Sequence, residues 1–149
     1  MNLIMKKTFL FSLFVLALTL SFTSCKKDKI PDSATKQALM AHTWKMEMVS
    51  EYNSGVPHVT YQRGASNNDE DFSIIRQTYK SNGSVQFVGE FGESGSNAKY
   101  SLLDNDTKIR LSYSGLSVTG ENLVVTGNQF AYTLKYNARD PTRFVFSPL

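Results

Sequence analysis

Apolar and polar residues alternate over most of the chain beyond residue 42, and a period of two predicts β-strands with one buried face. The first predicted strand begins at Trp44, and Met46 and Met48 share its buried face. The segments after it are predicted to be a loop over 53–57, a short strand over 58–63 and a mobile loop over 64–71. The pattern therefore predicts a protein built mainly of β-strands.

The segment that follows predicts a β-hairpin, and its register selects the turn. The apolar residues of its two strands all carry odd numbers: Ile75, Tyr79, Val85, Phe87 and Phe91. A two-residue turn at Asn82–Gly83 would divide them between the two faces of the sheet. A three-residue loop with Gly83 in the left-handed conformation pairs Tyr79 with Val85 and keeps the set on one face. We therefore predict the three-residue loop.

A second hairpin is predicted around the polar segment 104–107. Its inward residues alternate with polar ones: Tyr100, Leu102, Ile109, Leu111 and Tyr113. A four-residue loop places Leu102 opposite Ile109, which keeps all five residues on one face.

A third hairpin turns at Gly127–Asn128 and places Val125 opposite Phe130. The residues that it directs inward are Leu123, Val125, Phe130, Tyr132, Leu134 and Tyr136. A final strand is predicted over 143–146. Because the connections are tight turns without long crossovers, the pattern favours an all-β, antiparallel up-and-down barrel of about eight strands. Closure of the barrel removes the exposed strand edges.

One short helix is predicted before the strands, over 33–41, with Asp32 as its N-cap and Leu39 facing the body of the protein. This helix, the Trp that opens the first strand and the run of hairpins resemble the bacterial lipocalin-like domains, many of which are carried on lipoproteins. The resemblance covers most of 33–149. It implies that Trp44 plugs one end of the barrel, with His42 at the position of the usual Gly, and that Arg143 or Arg139 stacks on Trp44.

The N-terminal segment is typical of a secreted protein. Lys6 and Lys7 precede an apolar run over 9–20, which is shorter than the ~20 residues that a membrane-spanning helix needs. The segment that ends in Cys25 resembles the lipobox of bacterial lipoproteins, which implies attachment of lipid to this thiol. The predicted organisation is a signal peptide over 1–24, a lipidated tether over 25–31 and a lipocalin-like barrel domain over 32–149. An ordinary signal peptide with an incidental Cys is the alternative.

Composition and charge argue against several classes of function. The chain has 16 Lys and Arg against 13 Asp and Glu, a formal charge of +3. Five of the basic residues, Lys6, Lys7, Lys26, Lys27 and Lys29, and one acidic residue, Asp28, precede Pro31. The remaining 11 basic and 12 acidic residues leave the predicted domain almost neutral, so nucleic acid is not an expected partner. A single cysteine excludes a disulfide framework or a Cys-based metal site.

The predicted interior is rich in tyrosine, whose hydroxyls need hydrogen-bond partners when they are buried. Candidate residues for a ligand cavity are Trp44, Tyr79, Phe87, Tyr100, Tyr113, Tyr132 and Tyr136. Such a cavity suits a ligand with a hydrophobic body and a few polar groups. The alternative is that these tyrosines lie near strand ends, with their hydroxyls in solvent.

Other residue patterns do not support catalysis or metal binding. His42 and His58 lack metal-ligand spacing, and the acidic residues at 69–71 and 104–106 fit polar loops. The Gly/Ser segment 92–96 lacks the helix that a nucleophile elbow requires. We therefore expect no catalytic residues, no metal and no cofactor, and a protein that is not an enzyme.

Two functional hypotheses follow. The first is an outer-membrane lipoprotein, on the periplasmic face or the cell surface, whose barrel binds a hydrophobic or amphipathic small molecule. The second is a non-catalytic accessory protein that docks another envelope protein. The second hypothesis predicts a packed interior and an exposed apolar patch that includes Leu103, Val124 or Val145.

Overall fold

The described part of the chain consists of antiparallel strands preceded by one short helix. The computed structural model describes residues 31–135 and 140–149. The elements in these ranges are α1 (Ala34–Met40), β1 (Thr43–Asn53), β2 (Val56–Gln62), β3 (Arg76–Tyr79), β4 (Ser84–Val88), β5 (Ser94–Leu103), β6 (Lys108–Tyr113), β7 (Leu116–Val125), β8 (Phe130–Leu134) and β9 (Thr142–Pro148). The predicted signal peptide, Cys25, the tether up to residue 30, Tyr136 and Arg139 lie outside the described residues.

The strands close into an eight-stranded antiparallel barrel. One edge of β1 pairs with β9, from Trp44 opposite Pro148 to Glu51 opposite Thr142. The other edge of β1 pairs with β3, and each strand from β3 to β9 pairs with the next in chain order. This arrangement confirms the predicted up-and-down barrel with one short N-terminal helix.

The ninth strand, β2, lies beside the second half of β1 and outside the ring of eight. It follows a two-residue turn at Ser54 and Gly55, whose φ angles are 51° and 84°. Positive φ at both residues gives a turn whose twist matches that of the paired strands. The predicted loop over 53–57 is therefore wrong, since Val56 and Pro57 already belong to β2.

A bulge in β1 changes which residues face the core. The register against β9 shifts between Met46 and Met48, so the extra residue Glu47 reverses the alternation. Val49 is buried to 3% exposure, whereas Met48 is half-buried. The prediction that Met48 shares the buried face of Trp44 and Met46 is therefore wrong.

The segment 64–71 forms a loop, as predicted, and it is tied to neighbouring strands. The Asn68 carboxamide accepts a hydrogen bond from the Gln62 amide at 2.8 Å and donates to the Gln62 carbonyl at 3.0 Å. Arg63 Nε donates to the Met46 carbonyl at 2.8 Å, beside the bulge in β1. These bonds satisfy backbone groups that an edge strand and a bulge leave unpaired.

The three predicted hairpin registers are confirmed. Tyr79 lies opposite Val85, and the loop between them places Gly83 at a φ of 80°. Leu102 lies opposite Ile109 across the four-residue loop. Val125 lies opposite Phe130 across the two-residue turn.

Two details of the strands differ from prediction. Phe91 is 89% exposed, because β4 ends at Val88 and Phe91 belongs to the following turn. A further hairpin joins β6 to β7 through Ser114 and Gly115, both with positive φ. It adds the strand residues 116–121, which the sequence pattern did not predict.

Helix α1 begins one residue later than predicted. Ser33 is its N-cap and accepts a hydrogen bond from the Lys36 amide at 3.1 Å. Asp32 is wrong as the cap; its carboxylate instead binds the Lys36 ammonium at 2.7 Å. Leu39 is fully buried, as predicted. Across residues 31–135 and 140–149, the structure contains no helix that is both long and apolar enough to span a membrane.

Candidate functional site

One side of the barrel interior, which we call the filled half, is packed with aromatic rings from β1, β8 and β9. Phe130 is at its centre, stacked on Phe146 with ring centroids 5.0 Å apart. Trp44 and Tyr79 pack against Phe130 at 5.7 and 5.4 Å. Tyr132 stacks on Phe144 at 5.5 Å. The rings leave Trp44, Phe130 and Phe146 at or below 1% exposure, so this half has the density of an ordinary protein core.

Trp44 closes this half against α1. Its indole Nε1 donates to the Leu39 carbonyl at 2.8 Å, and the His42 ring meets it edge-on at 5.3 Å. The expected stacking of Arg143 on Trp44 is wrong. Arg143 lies opposite Ser50, six positions along β1 from Trp44, and its guanidinium donates to the Thr133 hydroxyl at 3.4 Å.

The opposite wall of the barrel borders a cavity of about 290 Å³ that is open to solvent and that we call the cup. Its walls come from β3, β4, β5, β6 and β7, and its lining residues are Gln77, Tyr79, Val85, Phe87, Ala98, Leu111, Ser112, Tyr113, Leu116 and Val118. Tyr79 and Val85 are buried, whereas Tyr113 is 49% and Leu116 76% exposed. The cup therefore opens beside the β6–β7 turn, at the end of the barrel opposite α1.

Several inward positions of the cup wall hold smaller side chains than those of the filled half. Val85, Ala98, Leu111 and Val118 occupy inward positions comparable to those that Phe and Tyr occupy on β8 and β9. Space of this kind is unusual in a protein interior, which normally packs without voids larger than a water molecule.

Tyrosine hydroxyls mark the boundary between the two halves. Tyr79 donates to Gln77 Oε1 at 2.6 Å, and Tyr100 donates to the Lys80 carbonyl at 3.0 Å. Burial raises the pKa of Tyr79 well above its usual value, and the neighbouring Tyr132 and Tyr100 add to the shift. Burial also raises the pKa of Tyr100, with a further contribution from Asp32. These phenols therefore remain protonated hydrogen-bond donors at physiological pH.

The structure divides the predicted cavity residues into two groups. Tyr79, Phe87 and Tyr113 line the cup, and the rings of Phe87 and Tyr113 meet edge-on at 5.3 Å. Trp44, Tyr100 and Tyr132 do not line the cup but are buried in the core. Tyr136 lies outside the described residues.

Several lining residues were not predicted. Gln77 shares the odd-numbered face of Tyr79, so strand alternation alone would have placed it inward. Leu116 and Val118 face the cup because the Ser114–Gly115 turn folds them back on β6. A Ser-Gly pair between two apolar segments is a recognised turn signal, and it would have identified both residues.

Other clusters show less potential for binding. In the described ranges no three His, Cys, Asp or Glu side chains are close enough to hold a metal ion. A larger hollow of about 550 Å³ is open to solvent, is about equally polar and apolar, and is lined in part by Thr43, Arg76 and Thr78. The Arg76 guanidinium there donates to the Ser73 and Ile75 carbonyls at 2.7 Å, so it serves the local backbone.

Comparison with protein-family models, with curated proteins and with solved structures yields no match for this chain. The barrel and the cup themselves are therefore the basis for the function proposed below.

Proposed function

We propose that this protein is a lipid-anchored envelope protein whose barrel binds one small hydrophobic or amphipathic molecule in the cup. The observation that supports the proposal is an open apolar cavity of about 290 Å³ inside a closed barrel. Ligand sites typically begin at about 300 Å³ and are lined mainly by apolar side chains with a few polar groups. Filling the cup would remove apolar surface from water, which favours binding.

The volume limits the size of the ligand. A water molecule occupies about 30 Å³ in the liquid, so the cup holds roughly ten non-hydrogen atoms. A longer molecule would extend through the mouth, past Tyr113 and Leu116. The proposed ligand is therefore a single short chain or a small ring system.

Anchoring is proposed from the sequence, through lipid attached to Cys25 and a tether over 25–31. Two or more acyl chains give stable membrane attachment, because each buried methylene contributes about 0.8 kcal/mol. Labelling of cells with radioactive palmitate should mark the wild-type protein and leave Cys25→Ser unlabelled. Equal labelling of both proteins, or of neither, would contradict this part of the proposal.

The binding proposal is tested by filling the cup. Ala98 lines the cup, and the adjacent Lys99 is exposed on the outer face of β5. We expect saturable binding of the fluorescent probe N-phenyl-1-naphthylamine to the full chain in lipid nanodiscs. Ala98→Leu should weaken binding at least about tenfold, because the added atoms occupy ligand space. Lys99→Leu introduces the same side chain outside the barrel and should leave the affinity unchanged.

Empty nanodiscs provide the reference for partition of the probe into lipid. Binding that does not saturate above this reference, or that weakens equally in the two variants, would exclude the cup as the site.

The docking hypothesis has less support. It predicted a packed interior, but the interior contains the cup, which is open to solvent. Of the three residues predicted for its patch, Val124 is 37% exposed, Leu103 is half-buried and Val145 is only 8% exposed. The described residues thus favour the small-molecule hypothesis.

A further inference from the structure

A polar side chain, Gln77, lies at the inner face of the mainly apolar cup. Gln77 pairs across the sheet with Trp44 on one side and Phe87 on the other, and both of these residues face inward. Its carboxamide is half-buried and lines the cavity. A polar group at a buried position costs stability unless it finds a hydrogen-bond partner.

The Gln77 carboxamide is held in one orientation. The Tyr79 hydroxyl donates to Gln77 Oε1 at 2.6 Å, which occupies the acceptor end of the amide. The donor end, Nε2, has no partner among the described residues. Burial keeps the Tyr79 phenol protonated, so it continues to act as the donor in this pair. The pair therefore leaves the Nε2 N–H groups available to donate to a ligand oxygen.

The charge of the lining limits what that oxygen can belong to. None of the ten lining residues carries a charged side chain. A carboxylate or phosphate that entered the cup would lose its hydration without meeting a counter-ion, and this costs several kcal/mol. A carbonyl, amide or hydroxyl oxygen loses much less, and one donor is enough to satisfy it.

We propose that Gln77 selects ligands that carry an uncharged hydrogen-bond acceptor and that the cup rejects the corresponding anions. This inference rests on the proposed function, because it assigns the polar contact of the same site. Gln77 acts as the donor to the ligand, and Tyr79 acts as a positioning residue that fixes the amide.

The test uses three competitors with equal numbers of non-hydrogen atoms: decane, octanamide and octanoate. Each displaces N-phenyl-1-naphthylamine from the full chain at neutral pH, with empty nanodiscs as the reference. We expect octanamide to bind at least about a hundredfold more tightly than octanoate, since only the anion must be desolvated without a partner. Octanoate that binds as tightly as octanamide would overturn the inference, because its carboxylate would then remain outside the cup.

A double variant tests the assignment to Gln77. Gln77→Leu alone would leave the Tyr79 hydroxyl unpaired, so Gln77→Leu is combined with Tyr79→Phe. Octanamide should lose about three- to tenfold in affinity, as expected for one hydrogen bond, and decane should lose nothing. Equal effects on both ligands would overturn the role of Gln77.

These outcomes separate the inference from the proposed function. If decane, octanamide and the probe all fail to bind the wild-type protein, the proposed function is wrong. If they bind and octanoate binds as tightly as octanamide, only the proposed selectivity is wrong. The comparison of ligands on the wild-type protein needs no variant, so it decides the question even if the double variant does not fold.

Discussion

The filled half and the cup are two walls of one barrel, and they differ in the size of their inward side chains. On β8 and β9 the inward residues include Phe130, Tyr132 and Phe146, all within 4% exposure. On the opposite wall Val85, Ala98 and Leu111 alternate with larger residues such as Phe87, and about 290 Å³ remains open. The strands are antiparallel around both walls, and each wall contains a register shift, between Met46 and Met48 of β1 and between Val85 and Phe87 of β4. The two walls therefore differ chiefly in how far their inward side chains fill the space in front of them.

We expect the filled half to determine the stability of the barrel and the cup to determine the proposed binding. The filled half contains the seam between β1 and β9, which closes the barrel, and the contact with α1 through Trp44. The cup wall leaves its apolar residues partly exposed and contributes less burial per residue. Substitutions in the filled half should reduce stability, whereas substitutions in the cup should mainly change binding.

The largest expected effect comes from removing the central ring of the filled half. Phe130→Ala should lower the free energy of unfolding by about 3–5 kcal/mol, because it leaves a void among Trp44, Tyr79 and Phe146. Phe87→Ala removes the same ring from the cup and should cost less than about 2 kcal/mol, because Phe87 already borders open space. Urea unfolding of both variants measures the difference. Equal losses would show that the two walls are packed alike.

A smaller effect is expected from adding one methyl group to each wall. A Cβ on Gly120 would lie 2.7 Å from the Tyr132 ring and 3.1 Å from Ile109, within the filled half. Gly120→Ala should therefore cost about 1–3 kcal/mol through overpacking.

Gly95 is the matched position beside the cup, where it lies opposite the lining residue Phe87. A Cβ there would lie 2.8 Å from Cζ of Phe87, at the far end of a side chain that can turn into the cavity. Gly95→Ala should cost less than about 1 kcal/mol. A thermal unfolding series on the two variants checks this order, and a greater loss in Gly95→Ala would contradict the contrast between the walls.

The sequence pattern was sufficient for the architecture. In each predicted hairpin, apolar residues of both strands had to share one face, and this condition determined the loop length. The three-residue loop before Ser84 is the clearest case, because the Asn-Gly pair alone favours a shorter turn. The register is thus encoded locally, by alternation and turn chemistry.

The cup was harder to predict from the sequence. Alternation indicates that a residue faces inward, but not whether its neighbours across the barrel fill the space in front of it. Trp44 and Tyr113 were therefore predicted for the same cavity, although one is fully buried and the other is half-exposed at the mouth. The bulge at Glu47 likewise depends on the pairing of β1 with β9 and not on local sequence. It turns Val49 into the core in place of Met48.

The last expected effect concerns Tyr79, at the boundary between the two walls, and it appears only in alkali. In the unfolded chain its phenol ionises near pH 10.0, whereas burial raises the folded-state pKa well above that value. Above pH 10 the unfolded state therefore binds fewer protons than the folded state, and the free energy of unfolding falls as pH rises. One such tyrosine contributes a slope of at most about 1.4 kcal/mol per pH unit. Tyr79→Phe should flatten the slope by up to that amount in urea unfolding between about pH 10 and 12, and Tyr100→Phe should flatten it less, because its pKa is less strongly raised. A slope unchanged by Tyr79→Phe would mean that this phenol is open to water from the cup, and that the filled half ends before it reaches Tyr79.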